Sequence, residues 1–179
     1  IRCVGTSAHA FTLLHDDERT AFDSQIASLG VGTTILVDTY DIARGVQRAV
    51  DAAKAAGGTL GAVRLDSGDL VAEAFKVRAQ LDSLGCPDTK IVVTSDLDEY
   101  AIAALGAAPV DIYGVGTKLV TGSGVPTAAL VYKMVERENS AGEMEKVAKK
   151  SSGGKSSVGG RKTAGRVIID GSATEELLI

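Results

Sequence analysis

Five polar segments of the sequence carry side chains that could hold phosphate or stabilise a developing positive charge. Each follows a short apolar run, and together they span residues 5–9, 38–41, 64–69, 94–96 and 114–118. Arg64 and Asp66 lie two residues apart in the third segment, so an extended strand would direct both side chains to the same face. The arginine could bind a phosphate group while the carboxylate faces a cationic reaction centre. This combination predicts chemistry on a phosphorylated substrate.

Four aspartates would repel one another if these segments meet at one end of a sheet. They are Asp38, Asp66, Asp69 and Asp96. A cation between them would relieve the repulsion, and a Mg²⁺ ion that takes most of its ligands from substrate phosphates suits this pattern, with Asp66 as one protein ligand. The Gly-x-Gly-Thr run at residues 114–117 could add backbone N–H groups that bind phosphate.

Each of these residues also has an ordinary structural interpretation. Asp and Ser directly after a strand are common N-caps of the following helix, and for any single position this explains the residue as well as a function does. Capping requires neither Arg64 nor His9, so the segments taken together favour a functional site. His15 lies beside the acidic residues 16–18 and is predicted to belong to a solvated turn. His9 follows a Gly-Thr-Ser turn, where a nucleophilic or phosphate-contacting role is plausible.

Short apolar runs alternate with amphipathic segments along the first two thirds of the chain. The predicted strands are residues 2–5, 34–37, 62–65, 90–94 and 111–115, and the predicted helices are residues 21–29, 42–56, 70–84 and 99–105. Such repeats form an open doubly wound sheet or a closed barrel. No GxGxxG motif follows the first strand, so the sequence favours an α/β fold built as a partial (β/α) barrel. The active site of a barrel lies at the C-terminal ends of its strands, and strands missing from the usual eight must come from elsewhere.

The pattern changes after Thr121. We therefore divide the chain into a barrel portion at residues 1–121, which carries the active-site rim, and an appended region at residues 122–179. The appended region begins with a predicted turn at residues 122–126. A predicted strand follows at residues 128–135.

A stretch rich in Lys, Ser and Gly covers residues 144–166. It predicts a small appended β element with mobile loops. For the basic loop at residues 149–162, a solvated surface loop is slightly favoured over a loop that covers phosphates. RNA binding is less well supported because no aromatic residues interleave the lysines to stack on bases. The tail from Val167 onward has no assignment from the sequence.

Composition narrows the class of protein. The 179 residues are 45% hydrophobic and carry a net charge of −4, which predicts neither a nucleic-acid nor a membrane partner. No signal peptide is visible, and no apolar stretch is long enough for a membrane helix. Cys3 and Cys86 show no metal or disulfide spacing, and we expect reduced thiols in a cytoplasmic protein. The chain opens at Ile1 in an apolar run without an initiator Met, from which we expect a missing N-terminal domain.

Four of the polar segments resemble, in order and spacing, motifs of the nicotinate phosphoribosyltransferases. They are GTSAH at residues 5–9, VDTYD at 37–41, RLDSGD at 64–69 and GVGT at 114–117, and the basic stretch at 149–162 is also similar to the later part of that family. The resemblance implies a type II phosphoribosyltransferase barrel. It implies transfer of phosphoribosyl from phosphoribosyl pyrophosphate to nicotinate, which gives nicotinate mononucleotide and pyrophosphate in NAD biosynthesis. It also implies ATP as a co-substrate, Mg²⁺, and a homodimer with shared active sites.

The resemblance assigns roles to individual residues. His9 would be the phosphorylated histidine that couples ATP hydrolysis to the reaction. Asp66 would face the ribose with Asp38 beside it, and Arg64 would bind phosphate. The positions implied to bind substrate or phosphate are, in chain order, Thr6, Ser67, Gly68, Asp69, Ser95, Asp96, Gly114, Gly116 and Thr117. Of these, Ser95 and Asp96 would lie near the ribose hydroxyls, and the last three would bind the 5′-phosphate.

Two other functions stay open. Quinolinate phosphoribosyltransferase, a related barrel enzyme, would need more basic residues around its pyridine pocket and no phosphohistidine. A non-catalytic fragment would keep the phosphate site and bind phosphoribosyl pyrophosphate without turnover. The residues alone do not separate nicotinate from nicotinamide as the acceptor, but the form of the motifs favours nicotinate.

Overall fold

The centre of the fold is a four-stranded parallel sheet. The computed structural model describes residues 6–122, 127–151 and 154–179. The strands lie side by side in chain order and are β1 (Thr34–Leu36), β2 (Ala62–Leu65), β3 (Lys90–Val93) and β4 (Ile112–Tyr113). Thr6 forms a parallel bridge to Thr34 on the outer edge of β1. The α/β prediction and four predicted strands are confirmed, while the predicted strand at residues 2–5 lies outside the described residues.

The described residues form six α-helices, of which two precede β1. They are α1 (His9–Leu13), α2 (Glu18–Leu29), α3 (Ile42–Ala55), α4 (Leu70–Ser83), α5 (Glu99–Ala104), which continues as a 3-10 helix at Leu105–Ala107, and α6 (Thr117–Thr121). Asp17, Asp41, Asp69 and Asp98 each cap a helix by accepting the N–H three residues ahead. The cap at Asp17 starts α2 earlier than the predicted residue 21. No helix in the described part of the chain is long and apolar enough to cross a membrane.

The helices α2, α3 and α4 pack on one face of the sheet. Alternate strand residues, among them Ile35, Val63 and Ile91, join their apolar side chains in one buried core. The glycine at position 45 lets α3 approach β1 closely, because a Cβ atom there would lie 2.3 Å from the carbonyl oxygen of Val37. The opposite face of the sheet carries the cross-strand row of Leu36, Arg64, Val92 and Ile112. One face of the sheet therefore packs against the helices. The other face carries the residue row that continues into the polar side chains at the strand ends.

The appended region contains two antiparallel hairpins. One pairs β5 (Glu136–Glu138) with β6 (Met144–Lys146), and the other pairs β7 (Ala164–Ile169) with β8 (Ser172–Leu178). The expected small β element is therefore present, and the unassigned tail is a hairpin strand. The strand predicted at residues 128–135 is wrong, since regular structure begins only at Glu136. Its apolar side chains favour an extended backbone, but a strand also needs a neighbouring backbone, and Leu130 and Tyr132 are exposed.

Candidate active site

The ends of β1, β2 and β3 bring two aspartates together. Asp38 and Asp66 follow Leu36 and Arg64 by two residues on the same face of the sheet, so their side chains meet at its C-terminal edge. One oxygen of the buried Asp38, Oδ2, accepts the backbone N–H of Asp66 at 3.2 Å and the hydroxyl of Ser67. The hydroxyl of Thr94, at the end of β3, donates to Asp66 Oδ1. We call Asp38, Asp66 and the strand ends that hold them the carboxylate rim.

His9 is the first residue of α1 and faces both carboxylates. Its Nδ1 lies 3.0 Å from the hydroxyl oxygen of Thr39, and its Nε2 lies 3.7 Å from Asp38 Oδ1 and 3.7 Å from Asp66 Oδ2. These two separations allow charge attraction but exceed hydrogen-bond length. Both His9 Nε2 and Asp38 Oδ1 are buried without a hydrogen-bond partner among the described residues. Buried polar atoms of this kind mark a place where a further group can bind.

Two lysines approach the carboxylate rim from the appended region. The ammonium of Lys155 donates to the backbone oxygen of Asp66 at 2.8 Å and to Ser95 Oγ at 2.7 Å, and it lies 3.8 Å from Asp66 Oδ2. Lys149 is buried. The backbone N–H of Lys150 donates to the carbonyl of Thr39 at 2.8 Å, which holds this part of the chain against the end of β1. We call residues 147–151 and 154–161 the lysine loop.

The charges of the site shift two pKa values. Burial raises the pKa of the Asp66 carboxyl, but its neighbours His9, Thr94, Lys155 and Arg64 outweigh burial, and the pKa lies well below its usual range. Burial lowers the pKa of Lys149, and this effect exceeds the opposing attraction of Asp38 and Asp66. Asp66 is therefore an anion at neutral pH, as a group that stabilises a cation must be.

A cavity of about 720 Å³ opens over this cluster. Its polar wall comprises His9, Asp66, Ser95, Asp96, Lys133, Lys149, Lys155, Ser156 and Ser157, and residues 129, 131, 132 and 134 supply an apolar side. The volume suits a ligand of nucleotide size. Ser95 and Asp96 have φ angles of +114° and +51°, which side-chain-bearing residues rarely adopt. Strain at such positions is common where a loop is shaped for a ligand.

Comparison with curated proteins finds relatives over nearly the whole chain. The nicotinate phosphoribosyltransferase pncB1 of Mycobacterium tuberculosis is 52% identical in an alignment that covers 97% of this chain. The chain belongs to the nicotinate phosphoribosyltransferase family. The enzyme of that name from Bacillus subtilis is 40% identical over 92% of the chain, and the human one is 34% identical over 68%. The chain spans 39%, 34% and 25% of the lengths of these three relatives. No family model matches it.

Solved structures agree with the fold of this family. A nicotinate phosphoribosyltransferase from Porphyromonas gingivalis superposes with a TM-score of 0.71 at 22% identity, over 88% of this chain and 44% of its own. A second, from Vibrio cholerae, gives a TM-score of 0.62 at 22% identity, over 87% and 40%. A nicotinate-nucleotide pyrophosphorylase from Pyrococcus furiosus gives 0.56 at 29% identity, over 91% and 40%. At these identities the first two comparisons support the fold alone.

Several predicted site residues of this family member lie around the carboxylate rim but do not line the cavity. Ser67 holds Asp38, Gly68 supplies the φ of +84° needed by the turn, and Asp69 caps α4. Thr6 donates to the carbonyl of Thr34 at 2.8 Å. Arg64 lies in the strand row below Asp66, and its Nε is buried without a partner among the described residues. These residues therefore surround the carboxylate rim, but they do not line the cavity themselves.

The predicted phosphate-binding run lies one strand further along the same edge. Gly114 follows β4, and a Cβ atom there would approach the Thr94 methyl group to 2.4 Å. Its N–H donates to the carbonyl of Val93 at 2.8 Å. Gly116 and Thr117 form the start of α6. The run therefore adjoins the Thr94–Asp66 contact without lining the cavity.

Sequence reasoning missed Thr39, Thr94, Lys149 and Lys155. The two threonines sat within or beside the quoted motifs but carried no role. The slightly favoured interpretation of the basic stretch as a solvated loop is wrong for both lysines, because Lys149 is buried and Lys155 bonds to Asp66. The similarity of the basic stretch at residues 149–162 to the family is the signal that could have identified the two lysines.

A magnesium ion fits this site only with help from a ligand. Among residues 6–122, 127–151 and 154–179, no group of three or more acidic, His or Cys side chains is arranged to hold a metal. Asp38 Oδ1 and Asp66 Oδ2 both face His9 Nε2, each at 3.7 Å. Mg²⁺ commonly takes one or two carboxylates and fills its remaining positions with phosphate oxygens and water. The residues present suit that mode of binding.

Proposed function

We propose that the full-length protein transfers phosphoribosyl from phosphoribosyl pyrophosphate to the ring nitrogen of nicotinate, in the salvage route to NAD. The single observation that carries the proposal is the meeting of His9, Asp38, Asp66 and Lys155 beside one cavity in a chain of this family. Anionic and cationic groups lie side by side there, as the reaction requires. The chain covers less than half of its relatives' length, so the proposal concerns the whole protein.

The reaction exchanges one bond at the anomeric carbon for another. The lone pair of the nicotinate nitrogen forms the new C–N bond while the bond to pyrophosphate breaks, and the ribose carries oxocarbenium character between the two events. The low pKa of Asp66 keeps its carboxylate charged beside that cation. Fixed groups of this kind are typically worth about 3–4 kcal/mol each in the transition state. Asp38, held by Ser67 and the Asp66 N–H, stabilises the position of Asp66.

The leaving pyrophosphate needs cations, and the appended region offers them. Lys155 and Lys149 line the cavity beside the strand ends, and Arg64 adds charge from the strand row below Asp66. When bound, Mg²⁺ held by phosphate oxygens and Asp66 would neutralise further charge on the diphosphate. The residues of this chain then bind the diphosphate from the loop side. The ribose lies against the carboxylate rim.

The remaining predicted residues complete the substrate contacts. In this proposal Ser95 and Asp96 bind the ribose hydroxyls, and Gly114, Gly116 and Thr117, which adjoin the cavity without lining it, bind the 5′-phosphate. Thr6, Ser67, Gly68 and Asp69 support these groups from the adjoining strand ends. The acceptor would enter along the apolar side of the cavity at residues 129–134.

ATP coupling would proceed through His9. In this proposal the imidazole takes the γ-phosphoryl group of ATP and ADP leaves. The phosphorylated form binds the diphosphate substrate more productively, and water then cleaves the N–P bond to release phosphate. Its Nδ1 is fixed by Thr39, which leaves the buried Nε2 directed at the reaction centre. A histidine oriented by a second group through one nitrogen and reacting through the other is a common arrangement for nucleophilic catalysis.

The sheet topology also suits a proposal for the complete fold and the assembly. We infer that the chain-order sheet, with helices on one face, closes with further strands into a (β/α) barrel, with residues 122–179 as an appended region. An open doubly wound sheet would place helices on both faces. We further propose a cytoplasmic homodimer whose partner subunit completes each active site.

The test is an assay of full-length protein with phosphoribosyl pyrophosphate, Mg²⁺ and each of three acceptors, with and without ATP. We expect nicotinate mononucleotide and pyrophosphate from nicotinate, with faster turnover when ATP is present. Product from quinolinate, with release of CO₂ and no ATP effect, would identify a quinolinate enzyme instead. If product forms with nicotinamide but not with the other two acceptors, the acceptor is nicotinamide rather than nicotinate. Binding of phosphoribosyl pyrophosphate without any product would indicate a non-catalytic phosphate-binding protein.

A further inference from the structure

Arg137 is a buried charge outside the cavity that joins the appended region to the rest of the fold. It lies in the middle of β5, and its side chain is only 7% exposed. The guanidinium pairs with Asp16 at 2.8 Å, in the connection between α1 and α2, and with Glu145 on the neighbouring strand β6. Both carboxylates meet the same guanidinium nitrogen, Nη2, while Nη1 donates to the carbonyl of Glu138 at 3.3 Å. The guanidinium thus joins two carboxylates and a backbone carbonyl through separate nitrogens.

The lysine loop is built on the strand that carries Arg137. The carbonyl of Val135 accepts the N–H of Val147 at 3.0 Å and that of Gly160 at 2.8 Å, so both ends of the loop bond to one residue. The Glu136 carboxylate accepts the N–H of Arg161 at 2.8 Å. The loop is thus closed at its base by the two residues directly before Arg137. Any shift of β5 moves the base of the loop with it.

The other side of the ion pair leads to His9. Asp16 lies three residues beyond the end of α1 (His9–Leu13), the five-residue helix whose first residue is His9. Arg137 therefore joins the base of the lysine loop to the element that carries the imidazole. The Lys150 N–H bond to Thr39, whose hydroxyl in turn contacts His9, is a second connection at the other end of the same arrangement.

We propose that Arg137 is a positioning residue that holds the lysine loop over the carboxylate rim, so that the diphosphate meets Lys149 and Lys155 at the correct distance from His9 and Asp66. It touches no substrate and acts through the loop. The expected effect on catalysis rests on the proposed function. The anchoring of the loop by Arg137 does not. Loss of the ion pair frees the loop, so binding the diphosphate must also order the two lysines, and this cost weakens binding more than it slows the chemical step.

The test uses Arg137→Met and Asp16→Asn in the full-length protein. Asp16 and Glu145 are 57% and 40% exposed, so water can solvate both carboxylates once the arginine is removed. We expect the KM for phosphoribosyl pyrophosphate to rise about tenfold, equivalent to about 1.4 kcal/mol. The kcat and the KM for nicotinate should change little, and Arg137→Lys should restore part of the loss. Arg19→Met, which breaks the exposed pair with Asp23 on α2, is the matched control.

Limited trypsin digestion supplies a readout that does not depend on activity. Cleavage after Lys149, Lys150 and Lys155, measured by mass spectrometry, should accelerate in Arg137→Met and Asp16→Asn but not in Arg19→Met. Asp16→Asn breaks the same ion pair but leaves the buried arginine in place. It therefore separates loss of the ion pair from a folding defect caused by replacing Arg137. Unchanged loop cleavage together with an unchanged KM in both variants would overturn the proposal. If the wild type fails to bind phosphoribosyl pyrophosphate, the proposed function fails, and the digestion still decides whether Arg137 anchors the loop.

Discussion

The two walls of the candidate site are assembled in different ways. The carboxylate rim comes from the ends of consecutive parallel strands, whose register places Asp38, Asp66 and Thr94 on neighbouring positions of one face. The cationic wall comes from the lysine loop, which reaches the rim from far along the chain. Lys155 and Asp66 are 89 residues apart in sequence.

This difference separates two kinds of structural support. The rim is supported by the helix layer on the other face of the sheet and by hydrogen bonds among its own residues at the sheet edge. The lysine loop depends on a few polar contacts with other elements, namely Lys150 to Thr39, Lys155 to Asp66 and Arg137 to Asp16. We therefore expect changes in the rim to affect the chemical step. Changes in the loop should affect the binding of the diphosphate.

Asp66→Asn should give the largest loss and test the rim as the catalytic wall. The amide keeps the shape of the side chain but removes the charge that faces the ribose cation, so turnover should fall by at least about a hundredfold. The fold should stay intact, but the unfolding temperature should fall, because the low pKa of Asp66 means that its charged carboxylate stabilises the folded state. Asp88→Asn, at an exposed loop position, is the control. Near-normal turnover of the Asp66 variant would remove the rim from the chemistry.

His9→Ala tests whether the rim also carries the ATP coupling. All stimulation of turnover by ATP should disappear, while a slow ATP-independent transfer should persist because Asp66 and the lysines remain. The measurement is the initial rate at saturating substrates with and without ATP, together with detection of acid-labile phosphate on the protein. His15→Ala is the matched control, since the His15 ring bonds to the Phe11 carbonyl in the preceding turn, away from the carboxylates. ATP stimulation that survives in the His9 variant contradicts the coupling role.

The contrast between the walls also explains what the sequence could predict. The apolar runs and the aspartates that follow them are local signals, so strands β1 to β4 and the meeting of His9, Asp38 and Asp66 at one edge could be inferred from spacing alone. The lysines carried no such local signal, because a basic loop looks the same whether it is solvated or folded over distant carboxylates. The predicted strand at 128–135 failed for a related reason, since pairing depends on a partner that local residues do not specify. The helix α1 was too short for any periodicity to reveal.

Lys155→Ala tests the cationic wall directly. Hydrogen bonds to charged groups contribute about 1.5–3 kcal/mol, so the KM for phosphoribosyl pyrophosphate should rise about tenfold or more while kcat falls less. Lys54→Ala is a matched control because Lys54 also donates to a distant backbone carbonyl, that of Leu84 at 2.9 Å, but away from the site. A loss confined to kcat would place Lys155 with the rim residues and erase the distinction between the two walls.

Gly45→Ala should give the smallest effect, and it tests whether the helix layer fixes the rim. Alanine in place of glycine inside a helix ordinarily stabilises it by about 1 kcal/mol. Here the added methyl group would lie 2.3 Å from the carbonyl oxygen of Val37, next to Asp38, so the overpacking should instead destabilise the protein by about 1–3 kcal/mol. Gly106→Ala, where no atom lies within 4 Å of the new carbon, is the control for the same substitution. Urea unfolding of the wild type and of the two variants measures whether each substitution raises or lowers the free energy of unfolding. If Gly45→Ala stabilises the protein as a free helix position would, then α3 can move away from β1 at little cost, and the rim owes its geometry to its own hydrogen bonds rather than to the packing below it.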